Sequence, residues 1–363
     1  MSTTTATGRA PQHSGPPPGG PPPPRPAGRR AAPLIFGLLL LQVGFVVSAV
    51  GAFHSAAPHR LPITVAAPVQ TAARMVDAFD ALPGDFVRTT VAPDSATART
   101  RVLRREAAAA YIAATAPGQA DTLLVASAAG PATAQAATQV AREAGRRGGR
   151  TVTVTDVQAP SLGDRWGLAP SLLAISWVAG GCLAAVVLLA AGGARPDDPQ
   201  RTVTWLAILA GYAAVSGLAG AAVVDPVFGA LPGHFAALCA IGALTVFAAG
   251  ITTLALRALF GVPGLGLAAL LLVVLGVPGT GGLPPTALLP QFWRTVGPAL
   301  PTGAADAAVR NTVYFGGHAT LGPRWVLGTW AVAGTVLAMS VSLSARRGAQ
   351  SPGRHRAQPR PDR

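Results

Sequence analysis

Lysine is absent: all 28 basic residues of this 363-residue chain are arginine. A P-loop needs a lysine that reaches the β- and γ-phosphates. The chain therefore carries no standard ATPase or GTPase site, and any ATP that powers it is hydrolysed on another subunit. Charge is scarce as well. Only 12% of residues are charged, half are hydrophobic, and the mean hydropathy is +0.43. That is too apolar for an ordinary soluble protein. Cysteine is limited to Cys182 and Cys239, both inside apolar runs, where a free thiol acts as a small hydrophobe. The polar region has no cysteine, which excludes a disulfide framework there. The long apolar runs contain no Asp, Glu, Arg or His, whereas proton- and ion-coupled transporters place such groups at mid-membrane. Metal-ligand spacing, a nucleophile elbow and a Gly-rich nucleotide loop are also missing. No catalytic residue, metal or cofactor is expected, and the chain does not read as an enzyme. Asp77, Asp80, Asp85 and Glu106 lie near arginines and read as solvated surface.

What is present is organised in blocks. Residues 1–33 hold ten prolines, including "PPPGGPPPP", and read as a disordered cytoplasmic tail of polyproline character. Leu34–Phe53 is twenty uncharged residues, about 30 Å of helix and enough to cross a bilayer. It is longer than the core of a cleaved signal peptide, so an uncleaved anchor is expected. Further spans are expected at Leu168–Ala191, Val203–Val224, Phe235–Leu256 and Trp325–Leu343. Gly264–Val277 is apolar for fourteen residues between Pro263 and Pro278, about 21 Å of helix; it reads as a short span or half of a broken one. Small residues such as Gly211, Gly217 and Gly220 suit close helix packing.

Arginine placement sets the expected orientation. The two tails, 1–33 and 345–363, carry about +9 of the formal +14. Both are expected in the cytoplasm beside anionic lipid heads. They lack aromatic interleaving, so nucleic acid is not an expected partner. Two inside tails require an even number of spans, and six fit. The fold expected is an α-helical polytopic membrane protein of about six transmembrane helices. Residues 54–167 would lie outside, between the first and second helices, and 168–344 would form a five-helix membrane domain.

Residues 54–167 read as a small α/β domain. Strands are expected at 61–68, 85–92, 122–129 and 151–158, and helices at 70–82, 95–114 and 131–145. Ser95 is a plausible N-cap, and Ala73, Val76, Phe79 and Leu82 form an apolar helical stripe. The βαβαβαβ order suggests a partly parallel sheet.

One stretch stands apart, "LLPQFWRTVGPALPTGA" at 288–304. Leu289, Phe292, Trp293, Val296 and Leu300 fall on one helical face, like an interfacial anchor. Pro290 suits a first turn, and Pro298 and Pro301 end the helix. A second helix over 302–317 follows, with Thr302 as cap and Asp306 paired to Arg310 at i, i+4. Segment 279–317 therefore reads as a re-entrant or interfacial hairpin.

The run "GVPGTGGLPPTALLPQFWRTVGPALPTGAADAAVRNTVYFGG" and "GDRWGLAP" (163–170) resemble type 2 ABC-transporter permeases, in particular the phage-infection-protein-like branch of Gram-positive bacteria. So does the layout of one span, a domain, then five spans. The resemblance covers roughly residues 34–345. It implies a multi-pass plasma-membrane exporter subunit for an amphipathic, lipidic or envelope-related compound. It also implies a homodimer with a separate ATPase subunit as possible partner. Pro278, Gly281, Gly282, Pro290, Phe292, Trp293, Arg294, Pro301, Arg310 and Asn311 would then belong to a segment that helps close the outer end of the path. The rival expectation is an envelope receptor or scaffold whose α/β domain binds a partner.

Overall fold

The computed structural model describes residues 28–53, 60–192, 199–280 and 289–350, apart from Pro83, Asp85 and Pro117. The Pro-rich tail to residue 27 and the basic tail from 351 lie outside the described residues. Helix α1 (Gly28–Phe53) leads into the α/β domain: β1 (Leu61–Ala66), α2 (Val69–Asp80), β2 (Val87–Ala92), α3 (Ser95–Leu103), β3 (Ala109–Ile112), β4 (Asp121–Val125), α4 (Pro131–Arg147) and β5 (Val152–Asp156). The bundle follows with α5 (Ala169–Gly192), α6 (Pro199–Ala222), α7 (Phe235–Phe260), α8 (Val262–Ala269), α9 (Gln291–Val296), α10 (Pro301–Tyr314) and α11 (Leu321–Gln350).

The sheet runs in the order β2-β1-β3-β4-β5, parallel except for the β3–β4 pair. The partly parallel sheet expected from the sequence is there, but with five strands rather than four. The expected helix 95–114 stops at Leu103, and its alanine-rich end becomes β3. Alanine favours helix, yet Ala109, Ala110 and Tyr111 are fully buried between β1 and β4. Tertiary burial overrides the local preference there. The α3 cap is Asp94, whose Oδ1 accepts from Thr97 N at 2.7 Å; Ser95 is already in the helix. The buried stripe of α2 is Ala72, Met75 and Phe79, rotated from the expected Ala73 and Val76. Asp77, Asp80 and Glu106 are exposed, and Asp85 lies outside the described residues.

Side-chain alternation gives the sheet two faces. Leu61, Ile63, Val65, Tyr111, Leu123 and Val125 face α2 and α4 in one core. Ala66, Ala110 and Leu124 face the other way, into a core shared with Leu173, Trp177, Leu238, Ala308 and Tyr314 of the bundle. Burial on both faces is why β4 is nearly continuous in apolar residues. The domain is thus packed onto the bundle rather than tethered beside it.

Among the described residues, five helices are long and apolar enough to cross a membrane: Ile35–Ala52, Ala169–Ala191, Gln200–Val227, Phe235–Phe260 and Leu321–Arg347. The chain is a helical membrane protein with a small α/β sheet region. The sixth expected span is not a continuous one. Its apolar helix, Val262–Val274, is short and ends in a π-helical turn. Helix α7 starts against the shared core, where Leu238 sits, and ends in a cluster with Trp205 and Ala338. Helix α11 starts beside Ala174 and Ala304 and runs back to that same far cluster. Residues 262–280 and 289–320 therefore return along the bundle in separate pieces.

Packing uses small residues. Gly181 would drive a Cβ to 2.4 Å from Val246 O, and Gly217 to 2.6 Å from Cys239 O. Gly220 and Gly242 make the notch that holds the Trp177 ring. Such contacts let van der Waals packing replace the hydrophobic drive that lipid removes. Gly211, read as part of that stripe, has nothing near it and faces outward. Cys182 and Cys239 are free thiols.

Candidate functional site: the junction of domain and bundle

Arg310 is the largest fully buried side chain described. It projects from α10, and the sequence places Asp306 one turn before it. The two pair at 3.1 Å, both buried, as the i, i+4 spacing predicts. The rest of the cluster comes from elsewhere. Arg310 Nη1 donates to Ala128 O at 2.9 Å, in the turn after β4. Its Nη2 donates to Gly167 O at 3.1 Å and to Ser171 Oγ at 3.3 Å. Ser171 Oγ in turn donates to Asp306 Oδ1 at 2.7 Å. A guanidinium with five donors suits this division among carbonyls and a carboxylate. One side chain thus ties the α/β domain to the entry of α5 and to α10.

The "GDRWGLAP" segment is built around the same point. Asp164 Oδ1 accepts from the backbone N–H of Leu168 and Ala169, both at 2.9 Å, and so caps α5. Its Oδ2 accepts from Tyr314 OH at 2.9 Å. Burial, foremost, pushes the Tyr314 hydroxyl up to about 12. Gly167 adopts φ 64°, a conformation glycine takes without strain. That turn presents its carbonyl to Arg310.

A cleft of about 240 Å³ opens beside this cluster. Its domain side includes Pro62, Arg105, Ala108 and Thr133, and its bundle side Thr280, Gly303, Asp306 and Arg310. Arg105 stacks 4.9 Å above the Phe315 ring, a cation–π contact. Its backbone is left-handed at φ 65°, which is strained for a residue with a Cβ. Burial, and then the charge of Arg310, holds the Arg105 guanidinium down to about 10, against the opposing pull of Asp306.

The residues singled out in the sequence fall in two places. Arg310 and Asn311 belong to the junction. Asn311 Nδ2 donates to Ala319 O at 3.0 Å and holds the turn into α11. Trp293 is buried against Ala52 of α1 and Leu289. Phe292 stands edge-on to Trp293 at 5.0 Å but is exposed, off the apolar face predicted for it. Arg294 is partly buried. Pro290 precedes α9 and Pro278 is buried in a 3-10 turn. Pro301 does not end a helix; it opens α10. Thr302 is no cap either: its hydroxyl donates to Leu272 O at 2.8 Å. Gly281 and Gly282 lie outside the described residues.

Neighbouring glycines do the packing. Gly279, Gly297 and Gly303 meet backbone to backbone, and a Cβ on Gly303 would lie 2.2 Å from Gly297 O. These contacts hold the turn at 278–280 against the start of α10. Asp164, Gly167 and Tyr314 lie in the two segments that carry the resemblance but have no role assigned there, and Arg105 and Ser171 lie outside both. Only Asp164, five residues ahead of an apolar helix, carried a local signal.

Comparison with family profiles, characterised proteins and solved structures finds no match to this chain.

Proposed function

We propose that this chain is the permease-like membrane subunit of a type 2 ABC-type exporter. It would sit in the plasma membrane as a homodimer, tails in the cytoplasm and α/β domain outside. Its cargo would be amphipathic, lipidic or a component of the envelope. One observation carries the reading. The apolar helix after α7 is too short to cross, α9 packs on the end of α1, and α10 lies at the domain end of the bundle, where the α/β domain covers it. Broken helices and irregular backbone are tolerated at membrane depth where they are enclosed by protein or line a path. If ATP powers the export, the missing lysine fits hydrolysis on a separate chain.

Co-purification from native membranes in mild detergent tests this, followed by flux assays in inside-out vesicles. The expected result is a stoichiometric ATPase and ATP-linked export of an amphiphile. A chain that purifies without an ATPase, and shows no ATP-linked flux with any candidate ATPase, overturns it.

The second reading, an envelope receptor or scaffold, is favoured by the size of the shared core between domain and bundle. Deleting the domain cannot separate the two readings, because it would strip one wall from that core. Flux separates them.

A further inference from the structure

The geometry points to an anion-binding site in the junction cleft, where Arg105, beside the already engaged Arg310, would hold the phosphate or carboxylate group of a small anion or amphiphile. Charge balance is the first argument. The cleft is lined by two arginines and one carboxylate, Asp306. That carboxylate is already engaged by Arg310 and Ser171. The Arg105 guanidinium has no hydrogen-bond or ion-pair partner among the described residues and stacks over the face of Phe315. A partly buried guanidinium without an acceptor is costly, and its planar fork matches the oxygens of a phosphate or carboxylate.

Placement is the second argument. Arg105 follows α3 in a left-handed backbone conformation, and its guanidinium lies over Phe315 of the bundle. The hydroxyl-bearing Thr133 and Thr280 line the same cleft from opposite sides. At about 240 Å³ the space is smaller than the roughly 300–1,000 Å³ of a whole small-molecule site. It suits a head group, with the rest of the molecule left outside. Binding here does not depend on the transport reading and is measured without ATP or flux.

The test uses the purified full-length chain and isothermal titration with three probes: sodium phosphate, dihexanoyl phosphatidic acid and zwitterionic dihexanoyl phosphatidylcholine. At least one anionic probe is expected to bind, more weakly as salt rises, while the zwitterionic probe does not. Arg105→Gln is expected to weaken that binding about tenfold or more. Arg105→Lys should fall between, and the surface variant Arg142→Gln should match the parent. Phosphate binding that Arg105→Gln abolishes assigns a free anion. Phosphatidic acid binding without phosphate binding, again lost in Arg105→Gln, assigns a lipid head group. No binding of either anion overturns the proposal. So does equal binding by the parent, Arg105→Gln and Arg105→Lys, or binding indifferent to salt.

Discussion

Both the α/β domain and the helical bundle bury an aspartate against an arginine, but the two pairs hold different things together. In the domain, Asp121 accepts from Arg150 Nε at 2.5 Å and Nη2 at 2.6 Å, from Ala114 N at 2.7 Å and from Tyr111 OH. All those partners lie within the sheet or its adjoining loops, and Arg150 keeps contact with water. In the junction, Arg310 and Asp306 are both out of water and gather partners 143 and 182 residues away in sequence. The first pair closes one sheet; the second couples two regions. A buried pair adds little over a well-packed apolar substitute, yet removing one partner strands the other. The difference therefore lies in where the damage spreads.

The largest effect is expected from Arg310→Leu, which strands Asp306 and leaves the carbonyls of Ala128 and Gly167 without their donor. A loss of about 3–5 kcal/mol is expected, read as a lower melting temperature in detergent with hydrogen exchange rising in both regions. The double variant Asp306→Leu/Arg310→Met should recover part of it. Equal loss in the single and double variants would break the comparison.

Asp121→Asn should cost about 2–3 kcal/mol, with faster exchange confined to the domain. Its pH dependence has a definite sign. Burial alone pushes the Asp121 carboxyl up, but Arg150, Tyr111 and the Ala114 N–H together hold it below its ordinary 3.8. A carboxyl depressed in the folded state stabilises above the unfolded value and loses that contribution as pH falls through the folded one. The parent domain should therefore lose stability as pH drops below about 4, and Asp121→Asn should flatten that slope in acid melts.

Gly297→Ala puts a methyl group 2.9 Å from Gly279 Cα. Overpacking there should cost about 1–3 kcal/mol, seen as faster exchange in α9 and α10 while the sheet stays protected. Asp94→Ala removes the α3 cap and should cost about 1 kcal/mol, the smallest change and one confined to the domain.

Four of the five strands are legible in the sequence, and β3 is not, for a reason that applies widely. "EAAAAYI" has a helical composition, and only its two neighbours, β1 and β4, make it a strand. The α9 face shows the same limit. Leu289, Trp293 and Leu300 are buried as periodicity predicts, but the helix ends at Val296, so Phe292 follows no common stripe. The Asp306–Arg310 pair was legible from spacing. What it binds was not, since backbone carbonyls such as those of Ala128 and Gly167 leave no trace in residue type.

Residue content alone determined the five long apolar helices, the shortness of the apolar run at 264–277, the alternation of strands and helices, and the lack of the lysine that a P-loop requires. These properties are sums over neighbouring residues, so the chain states them directly. Only the tertiary structure decided that the domain shares a core with the bundle, that an alanine run becomes a strand, and that Arg310 joins segments far apart in sequence. Those outcomes depend on which distant backbone groups must be satisfied once water is excluded, and that is settled by the fold.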